Sequence, residues 1–440
     1  MFCAFTGTQP RIKRSDGALA PMFVHPRMIR VRQNFTPTPL VEIRETIAIE
    51  IGKLQSRLSP GARIAVGVGS RGIANLAEIV RELIEQLLAM GTKPFLIPAM
   101  GSHGGATSEG QLEILASYGI TEIAMGAPIL ASLDVRKVGE SVDGIPAHCS
   151  TDALAADGIL LVNRIKPHTD FFGSLGSGLL KMCVIGLGKQ AGAATMHLAA
   201  TQLGYERVIR GLAHVMVQNV PLLGGLAILE NQVHETAKIV FVPREQMETA
   251  EADLLAEAKA WMPKLPFEEI DLLIVDRIGK NISGAGLDPN VINRSIHGYN
   301  SLPMRGNHTA PFVRRIFVRG LTPETHGNGI GIGMADATTH RLVREMDFRK
   351  TSINALTALT PQSAKIPIAF DTDREAIERM LISLPLNDMR EARIVRIADT
   401  LSVADMLVSE PLWDEIKKRE GIAALNDLEE LVFDDEGNLD

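Results

Sequence analysis

Short apolar runs alternate with helical patterns from about residue 60 onward, and this alternation constrains the fold more than any other feature. Arg63 to Gly69 predicts a buried strand, and apolar residues at helical spacing from Ala74 to Met90 predict the helix that follows. Lys93 to Ala99, Gly158 to Asn163 and Lys238 to Val242 predict further strands. Such alternation is typical of βαβ units. We therefore expect an α/β protein whose N-terminal sheet is mostly parallel and Rossmann-like, with helices on both faces.

The chain is long enough for two domains, because 440 residues exceed what one hydrophobic core usually organises. Pro263 to Phe267 contains two prolines and predicts a linker, and Ile270 to Val275 predicts the first strand of a second α/β unit. A strand at Ala392 to Ile397 predicts the end of that unit near residue 400. We expect a disordered extension over 1–24, a cofactor-binding and catalytic domain over 25–265, a substrate-closing α/β domain over 266–405, and a helical and acidic tail over 406–440. The acidic end of that tail, Asp427 to Asp440, is expected to be solvated.

Composition argues against several classes of partner. The chain has 45 Lys and Arg against 52 Asp and Glu, a net charge of −7, and aromatic residues make up 4%. Without a basic block or stacking platforms, a nucleic-acid partner is not expected. The longest uncharged stretch, Gly211 to Leu229, is interrupted by a histidine, a proline and a pair of glycines, so it predicts a helix, a turn and a strand rather than a membrane span.

The cysteines favour a reducing compartment. Cys3, Cys149 and Cys183 have no metal-like spacing and are odd in number, so the sequence supports neither a disulfide framework nor a thiolate zinc site. The first twenty residues lack the apolar core of a secretory signal. We therefore expect the protein in the cytoplasm.

Three unusual loops follow the first three predicted strands. They contain Arg71, His103 and His168 respectively. Ligands of open parallel sheets bind at the carboxyl ends of the strands. Because those ends share one edge, we expect a cleft with one anion-binding guanidinium and two imidazoles that exchange protons near neutral pH. His297 and His326, in glycine-rich loops, could also line the inter-domain cleft.

The first loop matches G-x-G-x-x-G at Gly67, Gly69 and Gly72, which is the dinucleotide fingerprint. Its usual companion is an acidic residue at the end of the next strand, but that strand ends in Pro98 and Ala99. A glycine-rich turn before a helix still favours a phosphate, through backbone N–H groups such as those of Ser70 and Gly72. An NAD- or flavin-linked oxidoreductase therefore remains the alternative function.

A second glycine-rich segment runs from Gly173 to Lys181 and continues to His197. Neither Lys181 nor Lys189 is followed by Ser or Thr at a Walker-type spacing, which excludes a P-loop. Lys181 lies between apolar residues, and apolar surroundings lower a lysine pKa and make the amine a nucleophile or an attachment point. A surface lysine with a buried stem is the other interpretation.

The segment 163–197 (NRIKPHTDFFGSLGSGLLKMCVIGLGKQAGAATMH) resembles the nickel-pincer-dependent lactate racemases and their wider family of 2-hydroxy-acid racemases and epimerases. The resemblance extends over most of residues 60–300. It implies a pyridinium-3-thioamide-5-thiocarboxylate mononucleotide joined to Lys181, and nickel bound by His197, sixteen residues later. It also implies His103 and His168 as the two catalytic histidines and Arg71 as a ligand of the substrate carboxylate or of the cofactor phosphate.

The chain departs from the family pattern in three places. Val68 replaces an acidic residue of the first loop, and the interval from His168 to Lys181 is slightly longer than in lactate racemases. The loop from Lys280 to Arg294 only loosely resembles the family's substrate-carboxylate loop, and either of these two cationic residues could bind the carboxylate. These departures question lactate as the substrate more than they question the cofactor.

The implied reaction inverts C2 of a lactate-like or sugar acid. Hydride leaves C2 for the cofactor while one histidine takes the hydroxyl proton, and return of hydride to the other face of the planar 2-keto acid inverts the centre. Two histidines are needed because each enantiomer presents its hydroxyl to a different side. The resemblance also implies cofactor-biosynthesis enzymes as partners, and the sequence gives no oligomeric state.

Overall fold

The computed structural model describes residues 24–35, 38, 40–70, 72–169, 171, 173–296 and 311–440. The predicted extension over 1–24 therefore lies outside the described residues except for its last position. In the described part, the strands are β1 (Met28–Gln33), β2 (Arg63–Val68), β3 (Lys93–Pro98), β4 (Val135–Glu140), β5 (Pro146–Ser150), β6 (Gly158–Arg164), β7 (Leu222–Glu230), β8 (Thr236–Pro243), β9 (Glu269–Ile278), β10 (Phe312–Leu321), β11 (Ala337–Thr339), β12 (Ile368–Phe370), β13 (Ile394–Ile397), β14 (Asp405–Ser409) and β15 (Ile422–Ala424).

The helices punctuate these strands as a βαβ fold requires. They are α1 (Ile43–Gly52), α2 (Leu76–Ala89), α3 (Ser108–Ser117), α4 (Glu122–Met125), α5 (Thr151–Leu154), α6 (Leu179–Lys181), α7 (Lys189–Leu203), α8 (Tyr205–Asn219), α9 (Met247–Trp261), α10 (Pro289–Ile292), α11 (His340–Glu345), α12 (Phe348–Thr357), α13 (Asp373–Ile382) and α14 (Glu410–Ile416). A π-helical turn over Met182–Gly186 follows α6 directly and leads to α7. No helix in this described part is long and apolar enough to span a membrane.

The first sheet has the order β3-β2-β6-β7-β8, with the first four strands parallel and β8 antiparallel to β7. Alternate residues of each strand enter two separate cores. Val66 and Leu160 pack with α1 and α2 on one face, whereas Ala65 and Leu161 pack with α7, α8 and α9 on the other. The expected α/β class, with a mostly parallel sheet covered on both faces, is confirmed.

The second sheet has the order β12-β11-β10-β9-β13-β14-β1-β15. Its first five strands are parallel, and β14 and β1 continue it in antiparallel orientation. The strand Met28–Gln33 thus belongs to the second sheet, although the predicted boundary placed it in the N-terminal domain. Its apolar residues Ile29 and Val31 are buried in the second core, which sequence proximity alone could not reveal. The remaining domain limits stay predictions.

The segment 406–440 differs from the prediction of a helical tail with a solvated end over 427–440. β14 and β15 belong to the second sheet, and Leu439 is 5% exposed. Arg319 donates to the carbonyl oxygen of Leu439, and the Leu439 amide donates to Asp373 at 3.0 Å. The acidic composition predicted that the tail is exposed to water. It could not show that Arg319, Arg341 and Arg396 donate hydrogen bonds to residues 438–440.

Candidate functional site

Lys181 and His168 meet at the carboxyl edge of the first sheet. After β6 the chain forms a loop closed by two backbone hydrogen bonds between Lys166 and Ser177, at 2.9 and 2.8 Å. This closure brings His168 close to Lys181, which is thirteen residues later in the chain. The Nζ atom of Lys181 lies 2.6 Å from Nε2 of His168 and donates to Oγ of Ser177 at 3.3 Å. The amine is half-buried and therefore accessible to a ligand while it is held in place.

The turn that carries Lys181 is fixed by two polar side chains, one half-buried and one buried. Nδ2 of Asn163, at the end of β6, donates to the carbonyl oxygen of Gly178 at 2.8 Å. The carboxylate of Glu251, on α9, accepts from the amide of Leu180 at 2.8 Å. Glu251 is 1% exposed, and burial raises the pKa of its carboxyl to about 7 against the lowering effect of the backbone N–H groups. A side chain at Gly178 would collide with this carboxylate, which explains the glycine.

Aromatic rings connect His168 with His197. The ring of His168 stacks on Phe171 with centroids 4.4 Å apart, and Phe171 stacks on Tyr205 at 5.4 Å. His197, on α7, meets the same Tyr205 edge-on at 5.9 Å. The structure thus brings Lys181, His168 and His197 into one cluster. Tyr205 was not predicted from the sequence, although its position at the start of the helix after the glycine-rich segment was an available signal.

His103 lies on the neighbouring loop after β3. Its Nδ1 is hydrogen-bonded to Oγ of Ser70, from the loop after β2, and Tyr118 donates to the carbonyl oxygen of Ser70 at 3.0 Å. The hydroxyl of Ser70 can donate or accept, so it fixes the orientation of the imidazole in either tautomer.

Both loops pack directly against the segment that carries Lys181 and His197. A Cβ atom at Gly69 would lie 2.7 Å from Cε of Met182, and one at Gly101 would lie 3.0 Å from Cβ of Ala193. These approaches place the His103 loop and the Lys181 segment side by side at one sheet edge, as their positions after parallel strands require.

The remaining predicted residues have different surroundings. Arg71 and His297 lie outside the described residues. Gly72 is exposed and has room for a Cβ atom, and Lys280 is half-buried. His326 is exposed, with left-handed backbone and a carbonyl oxygen that accepts from Lys350.

Arg294 corrects one expectation. Its side chain is 7% exposed and forms an ion pair with Asp336 at 2.7 Å. The guanidinium also donates to the carbonyl oxygens of Met334, Val313 and Arg314. These contacts commit Arg294 to the core of the second unit, so Lys280 remains the candidate of that loop for a substrate carboxylate.

The dinucleotide interpretation loses its structural context. The helix after the Gly67–Gly72 turn begins at Leu76, and its N-cap, Asn75, has left-handed backbone with φ of 59°. Residues 73–75 therefore separate the glycines from the helix start. The pattern depends on a turn that opens directly into a helix, where free N–H groups bind the pyrophosphate.

A cavity of about 250 Å³ lies between the two units, next to the loop that carries His168. Lys166, Pro167 and Gly72 line it from the first unit, and Asn281 and Asp288 line it from the second. Polar contacts join the units here: Lys166 faces Asp288 at 3.9 Å, and Nδ2 of Asn290 donates to the carbonyl oxygen of His168 at 3.3 Å. The second unit therefore covers the His168 loop.

Metal chemistry at this site would need an additional ligand source. Within the described ranges, no three His, Cys, Asp or Glu side chains are grouped so as to hold an ion. Cys149 and Cys183 are buried free thiols, and burial raises the pKa of Cys149 to about 12, which disfavours a thiolate ligand. A metal bound at His197 would take its other ligands from a bound group.

Comparison with known proteins gives structural likenesses only. No protein-family model matches the sequence, and no curated protein matches it. The structure is similar to the lactate racemase apoprotein from Thermoanaerobacterium thermosaccharolyticum, with a TM-score of 0.49 and 14% identity over 86% of this chain and 99% of that one. It is also similar to a structural-genomics target from Thermotoga maritima, with a TM-score of 0.49 and 13% identity over 75% and 84% of the two chains. The residues of the site therefore have to indicate the function.

Proposed function

We propose that the protein is a nickel-pincer nucleotide-dependent racemase or epimerase of a 2-hydroxy acid. One observation carries the proposal: the amine of Lys181 lies 2.6 Å from Nε2 of His168, and His197 reaches the same cluster through Tyr205. The attachment lysine, one catalytic base and the metal ligand that the sequence resemblance implies are therefore neighbours in space.

The donor set fits the implied cofactor. Lys181 would hold it covalently, and His197 would supply the one protein ligand that a metal bound mainly by cofactor carbon and sulfur needs; imidazole and soft sulfur suit nickel. The absence of a larger His, Cys, Asp or Glu group among the described residues agrees with this division. When bound, the cofactor supplies an electrophilic carbon that accepts and returns hydride.

The protein's own part is proton transfer, orientation and exclusion of water. His168 and His103 are the candidates to hold and return the substrate's hydroxyl proton, because imidazole changes protonation state near neutral pH. Ser70 holds Nδ1 of His103, so we assign proton transfer to Nε2 of that ring. The Phe171–Tyr205 stack restrains the ring of His168 and shields its face.

We assign binding of the substrate carboxylate to Lys280, which follows β9 in the second unit, and to Arg71, which follows Ser70 in the sequence and is implied by the resemblance. The adjoining 250 Å³ cavity gives room for a substrate larger than lactate, such as a sugar acid. Loading would require the enzymes that make the cofactor, and we expect both to act in the cytoplasm.

The test follows single enantiomers. Cofactor-loaded protein is incubated with each enantiomer of a panel of 2-hydroxy acids labelled with deuterium at C2, including lactate and sugar acids. We expect inversion of one class with deuterium retained in both enantiomers, and no inversion by Lys181→Ala. Lys259→Ala is the control, because Lys259 is exposed and its amine donates to the Gly173 carbonyl oxygen. Retained configuration across the panel with fully loaded protein would remove the assignment, and stoichiometric nucleotide reduction would favour an oxidoreductase.

A further inference from the structure

Lys189 is a buried lysine in an unfavourable position. It is 1% exposed, although long charged side chains are rarely buried completely. It begins α7 with a left-handed backbone, φ 52°, which non-glycine residues rarely adopt. The positive end of the helix dipole further disfavours an ammonium group there. Burial, left-handed backbone and the helix dipole are each unfavourable for Lys189, so we expect its side chain to form interactions that offset them.

The ammonium group of Lys189 binds the loop that leads to His103. Its Nζ donates to the carbonyl oxygen of Pro98 at 2.6 Å, at the end of β3, and to Oε1 of Gln111 at 3.3 Å. The amide of Gln111, itself fully buried, donates to the carbonyl oxygens of Met100 and Gly101 at 3.4 and 3.3 Å. Lys189 and Gln111 together hold three backbone carbonyls just before His103.

The same face of α7 leads to His197. Lys189, Ala193 and His197 follow one another at four-residue intervals, so they lie along one side of the helix. Ala193 meets the backbone of Gly101, where a Cβ atom would lie only 3.0 Å from its own. One face of α7 thus contacts the His103 loop twice, through Lys189 at the start of the helix and through Ala193 one turn later. His197 follows on the same face after a second turn.

We propose that Lys189 is a positioning residue that sets the placement of the His103 loop relative to α7 and His197. The proposal rests on the function proposed above only for the roles of the two histidines. The ammonium group of Lys189 donates to the carbonyl oxygen of Pro98 and to the side chain of Gln111, and we infer that it acts on the His103 loop through these two contacts.

The test measures the imidazole of His103 directly in the full-length protein without added cofactor or metal. Histidine is labelled with ¹³C at Cε1, and the His103 signal is identified by its loss in His103→Asn. Lys189→Met removes the donors, and Gln111→Leu removes the relay while Lys189 stays. Glu82→Gln is the control, because Glu82 is equally buried but pairs with Arg44 on α1, away from the loop.

We expect the titration midpoint of His103 to move by about 0.5 unit or more in Lys189→Met and in Gln111→Leu, because its environment changes. Glu82→Gln and the signal of exposed His214 should match the wild type. An unchanged His103 midpoint in the folded variants would overturn the proposal, and so would loss of folding in both, which would assign Lys189 to stability alone. The measurement needs no activity, so it stays decisive even if the protein fails to invert any hydroxy acid.

Discussion

Nζ of Lys181 lies 2.6 Å from Nε2 of His168, thirteen residues earlier in the chain. At this separation, the imidazole can accept a proton from the amine, which must lose its charge before it forms a covalent bond. The loop closure between Lys166 and Ser177 creates the contact, and Glu251 and Asn163 hold the turn beneath it.

Ser70→Ala should slow turnover without weakening substrate binding. The change removes the hydroxyl that holds Nδ1 of His103, so the imidazole loses its fixed orientation. We expect kcat to fall about tenfold with KM within a factor of two, measured by steady-state racemisation. Ser102→Ala is the matched control, because Ser102 is an exposed serine in the neighbouring loop that carries His103. An equal loss in both variants, or a rise in KM alone, would contradict the role given to Ser70.

Glu251 should make stability depend on pH between about 4.5 and 7. Burial raises its folded pKa from 4.5 to about 7, so in this window the folded protein binds a proton that the unfolded chain has released. Its stabilising contribution is therefore complete below pH 4.5 and is lost as pH rises through 7. Urea denaturation at several pH values should show wild-type stability falling by about 3 kcal/mol relative to Glu251→Gln across the window.

Glu248→Gln gives the comparison for Glu251, since Glu248 lies on the same helix with its side chain 57% exposed. Its stability should follow the wild type in parallel over this pH range. A pH-independent difference between the wild type and Glu251→Gln would show that the carboxyl of Glu251 does not titrate in this range.

Lys189 should make the free energy of unfolding rise with pH between about 8 and 10.5, whereas Glu251 makes it fall between about 4.5 and 7. Burial lowers its folded pKa from 10.5 to about 8, so between these values the unfolded chain holds a proton that the folded protein lacks. The wild type should therefore gain stability relative to Lys189→Met as pH rises from 8 to 10.5, by about 3 kcal/mol in denaturant titrations. Lys259→Met, at an exposed position, should show no such gain. A constant difference would place the ammonium of Lys189 in contact with water.

Arg294 and Lys280, the two candidates for binding the substrate carboxylate in the second unit, should differ in their effects on stability and on KM. Arg294→Met breaks a buried pair with Asp336 and should lower the free energy of unfolding by about 3 kcal/mol, with KM unchanged in the folded fraction. Lys280→Ala should raise KM at least about tenfold, as loss of a carboxylate contact predicts, with little change in stability. Denaturation and initial-rate kinetics on both variants decide this. A selective rise in KM for Arg294→Met would return it to the binding site.

The strands of the first sheet were predictable because both of their faces are buried. Strands of a covered parallel sheet are therefore continuous apolar runs, which are recognisable in the sequence alone. The edge that gathers the loops of His103 and His168 followed from the same pattern. The place of Met28–Gln33 was not predictable, because its partners β14 and β15 lie nearly 400 residues away in sequence.

Supporting residues were hidden for a different reason. Glu251 belongs to an Ala- and Glu-rich helix in which Glu248 and Glu257 look equivalent, and only packing of α9 against the Lys181 turn selects the buried one. Lys189 follows a glycine in a flexible-looking run, yet it is among the most buried side chains of the protein. Arg294 shows the converse: a loop arginine that suggests a ligand contact is used by Asp336 and backbone carbonyls.

The most direct test of the account is the intact mass and nickel content of protein produced together with the cofactor-biosynthesis enzymes. We predict a covalent mass increase equal to the pincer mononucleotide less the water released when the thioamide forms, and about one nickel per chain, in the wild type and in Lys259→Ala. Lys181→Ala should lack the adduct, and His197→Ala should keep the adduct but lose nickel. A wild-type mass equal to that of the bare polypeptide under these conditions, or an adduct that persists in Lys181→Ala, would contradict the central claim that Lys181 anchors the cofactor.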